Sequence, residues 1–173
     1  MQSNGKNSKP EWFSKVQQMR NEEVDFLYEM VEQTEGDILE IGMGGSTFAF
    51  LDATKDTDRQ VWSIDMRNKL EKYYDYIPQD YQERLNFIQA DCQTVKLHPK
   101  LKFKMMLVDG NHMYENVRKD TFKFWDYITD YIVFHDYELQ HGVTNLVKQL
   151  IKSGYADIHM RKESLIIVDK KIK

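Results

Sequence analysis

The feature that most restricts the fold of this 173-residue chain is the alternation of short apolar runs with segments of helical periodicity. The runs that predict strands are "DILEIG", "QVWSID", "RLNFIQAD", "FKMMLVDG", "YIVFHDY", "YADIHM" and "SLIIVDKK". Several are unbroken apolar stretches, which is typical of a sheet covered on both faces. Strands that alternate with helices are joined by crossovers and lie parallel. The pattern therefore predicts an α/β fold with a doubly wound, mostly parallel sheet.

The two ends of the chain depart from this alternation. Residues 1–10 are polar and predict a flexible tail. Residues 11–34 have a helical period that predicts an N-terminal helical cap, within which Asn21 would cap a second helical segment. The last two predicted strands form a closing hairpin. We therefore expect residues 11–173 to form a single domain.

The composition excludes several classes of protein. The net charge of −4 argues against a nucleic-acid partner held by a basic field. The one cysteine, Cys92, excludes an internal disulfide and fits a reducing compartment. No apolar run approaches the roughly 20 residues of a membrane span, and "QSNGKNSKP" after Met1 lacks the apolar core of a secretory signal. We therefore expect a soluble, cytoplasmic protein that has no membrane partner.

A glycine-rich stretch, "EIGMGGST", includes the end of the first predicted strand and the turn after it. Glycine weakens a regular element, so its presence indicates either a tight turn or a close approach of another group to the main chain. In an open α/β sheet, ligands bind beyond the carboxyl ends of the strands. Gly42 and Gly44 would let the backbone turn towards a ligand, and the helix that begins near Ser46 would offer free N–H groups.

Two carboxylates flank this predicted ligand site. Asp65 ends the second strand, 25 residues after Glu40, where an acidic group accepts hydrogen bonds from ribose hydroxyls. Glu40 would repel a pyrophosphate but suits a cationic ligand or an amino group. Thr47 stands where the dinucleotide fingerprint requires glycine or alanine. The stretch therefore favours a nucleoside ligand over a dinucleotide. The alternative is that it binds no ligand and is only a tight turn with a charged neighbour.

These residues resemble the motifs of class I S-adenosylmethionine-dependent methyltransferases, from about Glu35 to the C-terminus. The matching stretches are "EIGMGGST", "SIDMR" and "QADCQTV". The resemblance implies a Rossmann-like sheet of seven strands whose last strand is antiparallel, with S-adenosylmethionine as the cofactor. It also implies that Gly42 and Gly44 line the methionine portion, that Asp65 holds the ribose and that Asp91 lies by the adenine amine.

Two neighbours of these acids are further candidates for the cofactor site. Met66 follows Asp65 and could lie against the adenine. Cys92 follows Asp91 at the edge of the third motif, with no cationic neighbour that would make it a nucleophile. For both side chains, simple packing is the alternative.

A second set of polar residues follows the fourth and fifth predicted strands, in "LVDGNHMYENV" and "VFHDY". Adjacent parallel strands would bring Asp109, His112, His135 and Asp136 to the rim that carries the glycine-rich stretch. Carboxylates with water suit Mg²⁺, and an added imidazole favours Mn²⁺, iron or Zn²⁺. Such an ion would bind a substrate hydroxyl and lower its pKa, which activates it for methyl transfer. Alternatively, His112 caps the next helix and His135 is a hydrogen-bonded core histidine.

The same residues are similar to one branch of the family, the small-molecule O-methyltransferases with "DGxHxYexv" and "hDy" elements, some of which depend on a metal. The branch implies that Asp109 and Asp136 bind the metal and act in catalysis, and that His112 is the base. His135, a third candidate ligand, stands where some relatives have an acidic residue. A second departure is that "WDYITDYIVF" replaces the branch's usual "PGG" turn before the fifth strand.

The sequence therefore predicts an S-adenosylmethionine-dependent methyltransferase that acts on a hydroxyl of a small molecule. Mg²⁺ or Mn²⁺ is a candidate metal cofactor. Two other functions fit the same fold: a nicotinamide-linked oxidoreductase, which Thr47 and Glu40 disfavour, and a nucleoside-binding or scaffold protein without catalysis. No insertion after the fifth strand encloses an acceptor. The chain would bind its acceptor openly, accept a large one, or borrow a wall from a second subunit of a homo-oligomer.

Overall fold

The computed structural model describes residues 19–171, which contain a seven-stranded sheet of order β3-β2-β1-β4-β5-β7-β6. The strands are β1 (Ile38–Ile41), β2 (Val61–Asp65), β3 (Leu85–Gln89), β4 (Phe103–Val108), β5 (Ile128–Phe134), β6 (Ala156–Lys162) and β7 (Leu165–Lys170). The helices are α1 (Asn21–Glu32), α2 (Gly45–Ala53), α3 (Lys69–Tyr73), α4 (Gln79–Gln82), α5 (Tyr114–Lys123) and α6 (His141–Lys152), with 3₁₀ turns at Tyr74–Tyr76 and Trp125–Tyr127. None of these helices is long and apolar enough to cross a membrane.

The strand directions confirm the predicted topology. β1 pairs in parallel with β2 and β4, β2 with β3, and β4 with β5. β7 is antiparallel to both of its neighbours, β5 and β6, so the predicted closing hairpin inserts its second strand into the sheet. The result is a Rossmann-like sheet in which five parallel strands end at one edge.

Both faces of the sheet are buried at its central strands, which explains their unbroken apolar runs. In β4, Met105 and Leu107 pack into the core beneath α1 and α2. Met106 and Val108 point to the opposite face and pack into the core beneath α5 and α6. Because successive side chains of a strand alternate between faces, a strand with two buried faces must be apolar throughout.

The N-terminal cap differs in detail from its prediction. Residues 1–18, including the predicted tail over 1–10 and the first part of the predicted cap over 11–34, lie outside the described residues. Asn21 is the first residue of α1 and not its cap, because the cap position is held by Arg20. The backbone N–H of Arg20 donates to Glu23 Oε2 at 3.1 Å, so a carboxylate within the first turn closes this end of α1.

Apolar residues recur at helical spacing over residues 115–128, which predicts a helix, but the helix in this segment is shorter. α5 stops at Lys123, and Ile128 is a buried residue of β5 paired with Phe103. The Nζ of Lys170 donates to the carbonyl oxygens of Trp125 and Ile128, at 2.7 and 2.8 Å. The helical spacing of these apolar residues is thus overridden by the β-branched start of β5 and by a side chain from β7.

Candidate functional site

A cavity of about 410 Å³ opens at the carboxyl ends of the parallel strands. The residues predicted to bind a cofactor that line it are Gly42, Asp65, Met66, Asp91, Cys92 and Asp109. The other three, Glu40, Gly44 and Ser46, do not line it. The cavity lies at the edge of the sheet where ligands of this fold class bind.

Gly42 is required by a close approach of two segments of main chain. Its φ is +98°, and a Cβ at this position would lie 2.4 Å from the carbonyl oxygen of Asp109. Its own N–H donates to the carbonyl oxygen of Ile64 at 2.8 Å. The turn after β1 therefore fits directly against the segment after β4, and these two segments form adjoining walls of the cavity.

Glu40 lies beneath the glycine-rich turn instead of facing a ligand. Its carboxylate is fully buried and accepts hydrogen bonds from the hydroxyls of Ser46, Thr47 and Ser63, the last at 2.7 Å. Burial raises the pKa of Glu40 to about 7, although the three hydroxyl donors oppose the rise. Glu40 and Ser46 thus use their side-chain polar groups on each other, and together they hold α2 against the sheet. Their predicted contact with a cofactor stays a prediction.

Asp65 ends β2 at the cavity wall with its carboxylate already engaged. Oδ2 accepts from the N–H of Met43 at 3.1 Å and lies 3.0 Å from Nζ of Lys69, while Oδ1 accepts from the N–H of Arg67 at 2.8 Å. Lys69 also donates to the carbonyl oxygen of Met43 at 2.5 Å. Lys69 was not among the predicted site residues, because its ion pair with Asp65 forms only where the chain turns from β2 into α3.

The far wall of the cavity is formed by the turn after β3. Asp91 is exposed and accepts from the N–H of Gln93 at 2.9 Å. The thiol of Cys92 donates to Oδ1 of Asp120 at 2.9 Å, and the side-chain amide of Gln93 donates to the same oxygen. Burial and the adjacent Asp120 raise the pKa of Cys92 to about 12, so this thiol stays protonated and is no nucleophile.

The second predicted set of polar residues converges beside the cavity. His112 Nε2 lies 3.5 Å from Asp109 Oδ1 and 3.3 Å from Asp136 Oδ2. His135 Nδ1 lies 3.3 Å from Asp109 Oδ1 and from Asp136 Oδ1. One potential ligand atom from each of Asp109, His112 and Asp136 lies within 4.8 Å of the others. Because Asp109 also lines the cavity, the two sites adjoin.

Residues 39–137, more than half of the chain, match a family model described as a methyltransferase domain. The chain belongs to the methyltransferase family. The predicted class I, S-adenosylmethionine-dependent fold is thereby confirmed. None of the curated proteins matches this methyltransferase.

Solved structures share the fold at low sequence identity. A protein described as a caffeoyl-CoA O-methyltransferase from Staphylococcus aureus is 13% identical, with a TM-score of 0.71 over 91% of this chain and 87% of that one. The methyltransferase PaMTH1 of Podospora anserina, solved with S-adenosylhomocysteine, is 14% identical, with a TM-score of 0.70 over 94% and 86%. The O-methyltransferase NovP is 14% identical, with a TM-score of 0.63 over 87% and 80%.

In this methyltransferase, His112 and His135 lie among carboxylates. Burial lowers the pKa of His135, but Asp109, Asp136 and Glu23 outweigh it and raise the pKa to about 9. The adjacent carboxylate of Asp109, 3.5 Å from Nε2, is the main cause of a raised pKa for His112. Burial favours the neutral form of Asp109, but the two histidines outweigh it and lower its pKa. The cluster of carboxylates and imidazoles therefore carries charges of both signs at neutral pH.

Glu23 connects this cluster to α1, a link that the sequence analysis missed. Its Oε2 lies 3.5 Å from His135 Nε2, and its Oε1 accepts from the N–H and the hydroxyl of Ser164. Burial opposes ionisation of Glu23, but its hydrogen bonds from Ser164 and Arg20 lower its pKa. The helical cap of the methyltransferase thus supplies a buried negative charge behind His135.

Gly142 fixes the position of His112 from the other side. A Cβ on Gly142 would lie 2.1 Å from the carbonyl oxygen of His112 and 2.5 Å from the nitrogen of Tyr114. The first turn of α6 therefore rests directly on the backbone of the segment that carries His112. The sequence analysis missed Gly142 too, because only the tertiary structure brings these segments together.

Proposed function

We propose that this methyltransferase binds S-adenosylmethionine in the cavity and transfers its methyl group to a hydroxyl of a small molecule. The observation that carries the proposal is the double position of Asp109, which lines the cavity and belongs to the cluster with His112 and Asp136. A cofactor site and a group able to accept a proton therefore share a wall. Adjacent sites of this kind hold the two reactants in contact, which supplies much of the acceleration of a two-substrate reaction.

In this proposal, the ribose, the methionine portion and the base of the cofactor contact different residues of the cavity. The ribose hydroxyls donate to Asp65, and the methionine portion lies against the turn at Gly42. The base lies between Met66, which is 70% exposed, and the turn that begins at Asp91. Glu40 acts indirectly, because it holds the start of α2 and with it the shape of the glycine-rich turn.

The residues of the cluster act on the acceptor. Its oxygen forms a bond to the methyl carbon as the bond from that carbon to sulfur breaks, and its proton passes to the imidazole of His112. Asp109 and Asp136 stabilise the imidazolium that results, which is the direction in which they shift the pKa of His112. Two of the similar proteins are described as O-methyltransferases, which supports oxygen as the atom that accepts the methyl group.

The residues of the cluster also fit a divalent metal. His112 Nε2 and both ring nitrogens of His135 are buried and have no hydrogen bond of normal geometry within residues 19–171. Asp109, Asp136 and an imidazole from His112 or His135 would hold the ion. A bound ion would act as a Lewis acid that lowers the pKa of the acceptor hydroxyl. A mixed set of carboxylate and imidazole ligands favours Mn²⁺ over Mg²⁺.

Calorimetry with S-adenosylmethionine and S-adenosylhomocysteine tests the cofactor. We expect micromolar binding that Asp65→Ala weakens at least tenfold, whereas Asp75→Ala, an exposed acid on the 3₁₀ turn after α3, leaves it unchanged. The absence of heat with both compounds would reject the proposal. Binding of NADH, followed by its fluorescence, would favour the oxidoreductase instead.

Methyl transfer to a panel of catechols, sugars and peptides, with and without Mg²⁺ or Mn²⁺, tests the reaction. We expect a hydroxyl compound to be methylated and Asp136→Asn to reduce the rate. Asp130→Asn, on β5 but bound to Lys104 away from the cluster, serves as the control. Cofactor binding without transfer to any member of the panel would favour a binding or scaffold protein.

A further inference from the structure

Asp120 is a buried acid in the wall of the cofactor cavity. It lies on α5, four residues after Asn116, and both side chains line the cavity, so this face of α5 is one of its walls. Asp120 is only 5% exposed. Its hydrogen-bond donors, Cys92 and Gln93, are neutral groups. No salt bridge joins Asp120 to a cation within residues 19–171. Burial of a carboxylate without one is costly, so its position at a ligand cavity calls for an explanation.

The two oxygens of Asp120 have different surroundings. Cys92 and Gln93 both donate to Oδ1. Among the described residues, none donates a hydrogen bond to Oδ2, which lies 3.9 Å from the position that a Cβ would take on Gly110. Gly110 itself lines the cavity. The donors thus fix the orientation of the carboxylate, and its second oxygen remains as an acceptor between the turn after β3 and the segment after β4.

The proposed position of the cofactor brings its base to this region. With the ribose at Asp65, the base extends towards the turn that carries Cys92 and Gln93. Adenine carries an exocyclic amino group, which is a donor and can satisfy a free carboxylate oxygen. A 6-oxopurine would place a second acceptor there, and a buried acceptor that loses its donor is strongly unfavourable.

We propose that Asp120 recognises the exocyclic amino group of the cofactor's base and selects adenine over 6-oxopurines, with Cys92 and Gln93 as the residues that position it. This inference rests on the proposed cofactor site. The family resemblance implies instead that Asp91 lies by the adenine amine. Asp91 is exposed, and its Oδ1 already accepts a hydrogen bond from the N–H of Gln93. Water can replace the hydrogen bonds of an exposed acid, so an acid of that kind discriminates weakly between bases.

The test compares the affinities of S-adenosylhomocysteine and S-inosylhomocysteine, in which oxygen replaces the amino group. We expect the wild-type protein to prefer the adenosyl compound at least a hundredfold. Asp120→Asn, whose side chain can donate to a 6-oxo group, should reduce this preference at least tenfold. Asp126→Asn, an exposed acid just beyond α5, is the matched control and should keep it. Asp120→Ser is a second variant in case Asp120→Asn does not fold.

The ratio of the two affinities separates recognition from a structural role. If the variants of Asp120 weaken the binding of both compounds by the same factor, Asp120 only supports the turn after β3 and the inference is overturned. It is also overturned if Asp91→Asn abolishes the preference and Asp120→Asn retains it, or if the wild-type protein binds both compounds equally. The last result leaves the proposed cofactor site intact, whereas binding of neither compound rejects that site and the inference with it.

Discussion

Nζ of Lys69 lies 3.0 Å from Oδ2 of Asp65, the carboxylate proposed to hold the ribose. The same ammonium donates to the carbonyl oxygen of Met43, so it joins the end of β2 to the glycine-rich turn. Asp65 also accepts two backbone hydrogen bonds. Ribose hydroxyls must therefore compete with Lys69 for this carboxylate.

Removal of Lys69 should tighten cofactor binding. In Lys69→Met, Oδ2 of Asp65 loses a competing donor and the site loses a positive charge that repels the sulfonium. A partly exposed ion pair contributes about 1 kcal/mol, which corresponds to about fivefold in affinity. Calorimetry with S-adenosylmethionine measures the change, and Lys72→Met, from the exposed side of the same short helix, is the control. Weaker binding by Lys69→Met would show instead that the ammonium contacts the cofactor.

Glu40 should make the stability of the protein depend on pH. Its pKa rises from 4.5 to about 7 on folding because the carboxyl is buried. The folded state therefore holds the proton more tightly, and the contribution of Glu40 to stability is lost as pH rises from 4.5 through 7. In Glu40→Gln this loss is absent, so the variant should gain about 3 kcal/mol relative to the wild type between pH 4.5 and pH 8.

Urea unfolding at a series of pH values measures this difference. Glu29→Gln, an exposed position on α1, controls for the general effect of removing a negative charge. A difference between Glu40→Gln and the wild type that stays constant over this range would mean that folding does not raise the pKa of Glu40.

Gly142 should tolerate no side chain. A Cβ there overlaps the backbone of His112 and Tyr114, so Gly142→Ala should lower the free energy of unfolding by about 3 kcal/mol. It should also slow methyl transfer, because α6 can make room only by displacing His112. Gly154→Ala is the matched control: its φ is +67° but nothing lies within 4 Å, so we expect a loss of about 1 kcal/mol and normal transfer. Equal losses of stability in the two variants would contradict the close approach at Gly142.

Binding of Mn²⁺ should release a proton. The pKa of His135 is raised to about 9, so this imidazole is charged at neutral pH and repels a cation placed between Asp109 and Asp136. Affinity should therefore increase about tenfold per pH unit from pH 6 to 8 and level off above pH 9. Calorimetry in buffers of different ionisation enthalpy counts the protons, with His159→Gln, on the exposed strand β6, as the control. Equal affinity at pH 6 and pH 8 would contradict this account.

The parts of the structure that depend on strand order were predictable from the sequence. Asp109 and Asp136 follow two strands that are adjacent and parallel, so their meeting at one edge follows from the topology alone. Asp65 and Asp91 end up at the same cavity for the same reason, since β2 and β3 are parallel neighbours. Apolar runs of this length predict buried parallel strands, and the positions beyond their ends then follow.

The parts that depend on side-chain partners from distant segments were not predictable. Glu40 stands in sequence beside the ligand turn, but Ser63 on β2 and two hydroxyls of α2 hold it inside the protein. Glu23 approaches His135 only because α1 packs near the turn between β6 and β7. A single sequence shows the spacing along one segment and not the side chain that another segment brings to it.

The place of β7 has a consequence for synthesis on the ribosome. β7 lies between β5 and β6 in the sheet but follows both in the chain. Until residues 165–170 have left the exit tunnel, β6 has no neighbour to join and β5 presents an open edge. Ser164, which donates two hydrogen bonds to Glu23 behind His135, directly precedes β7 and emerges with it. The nascent chain therefore completes the sheet and the contacts of Glu23 behind His135 at the same stage of synthesis.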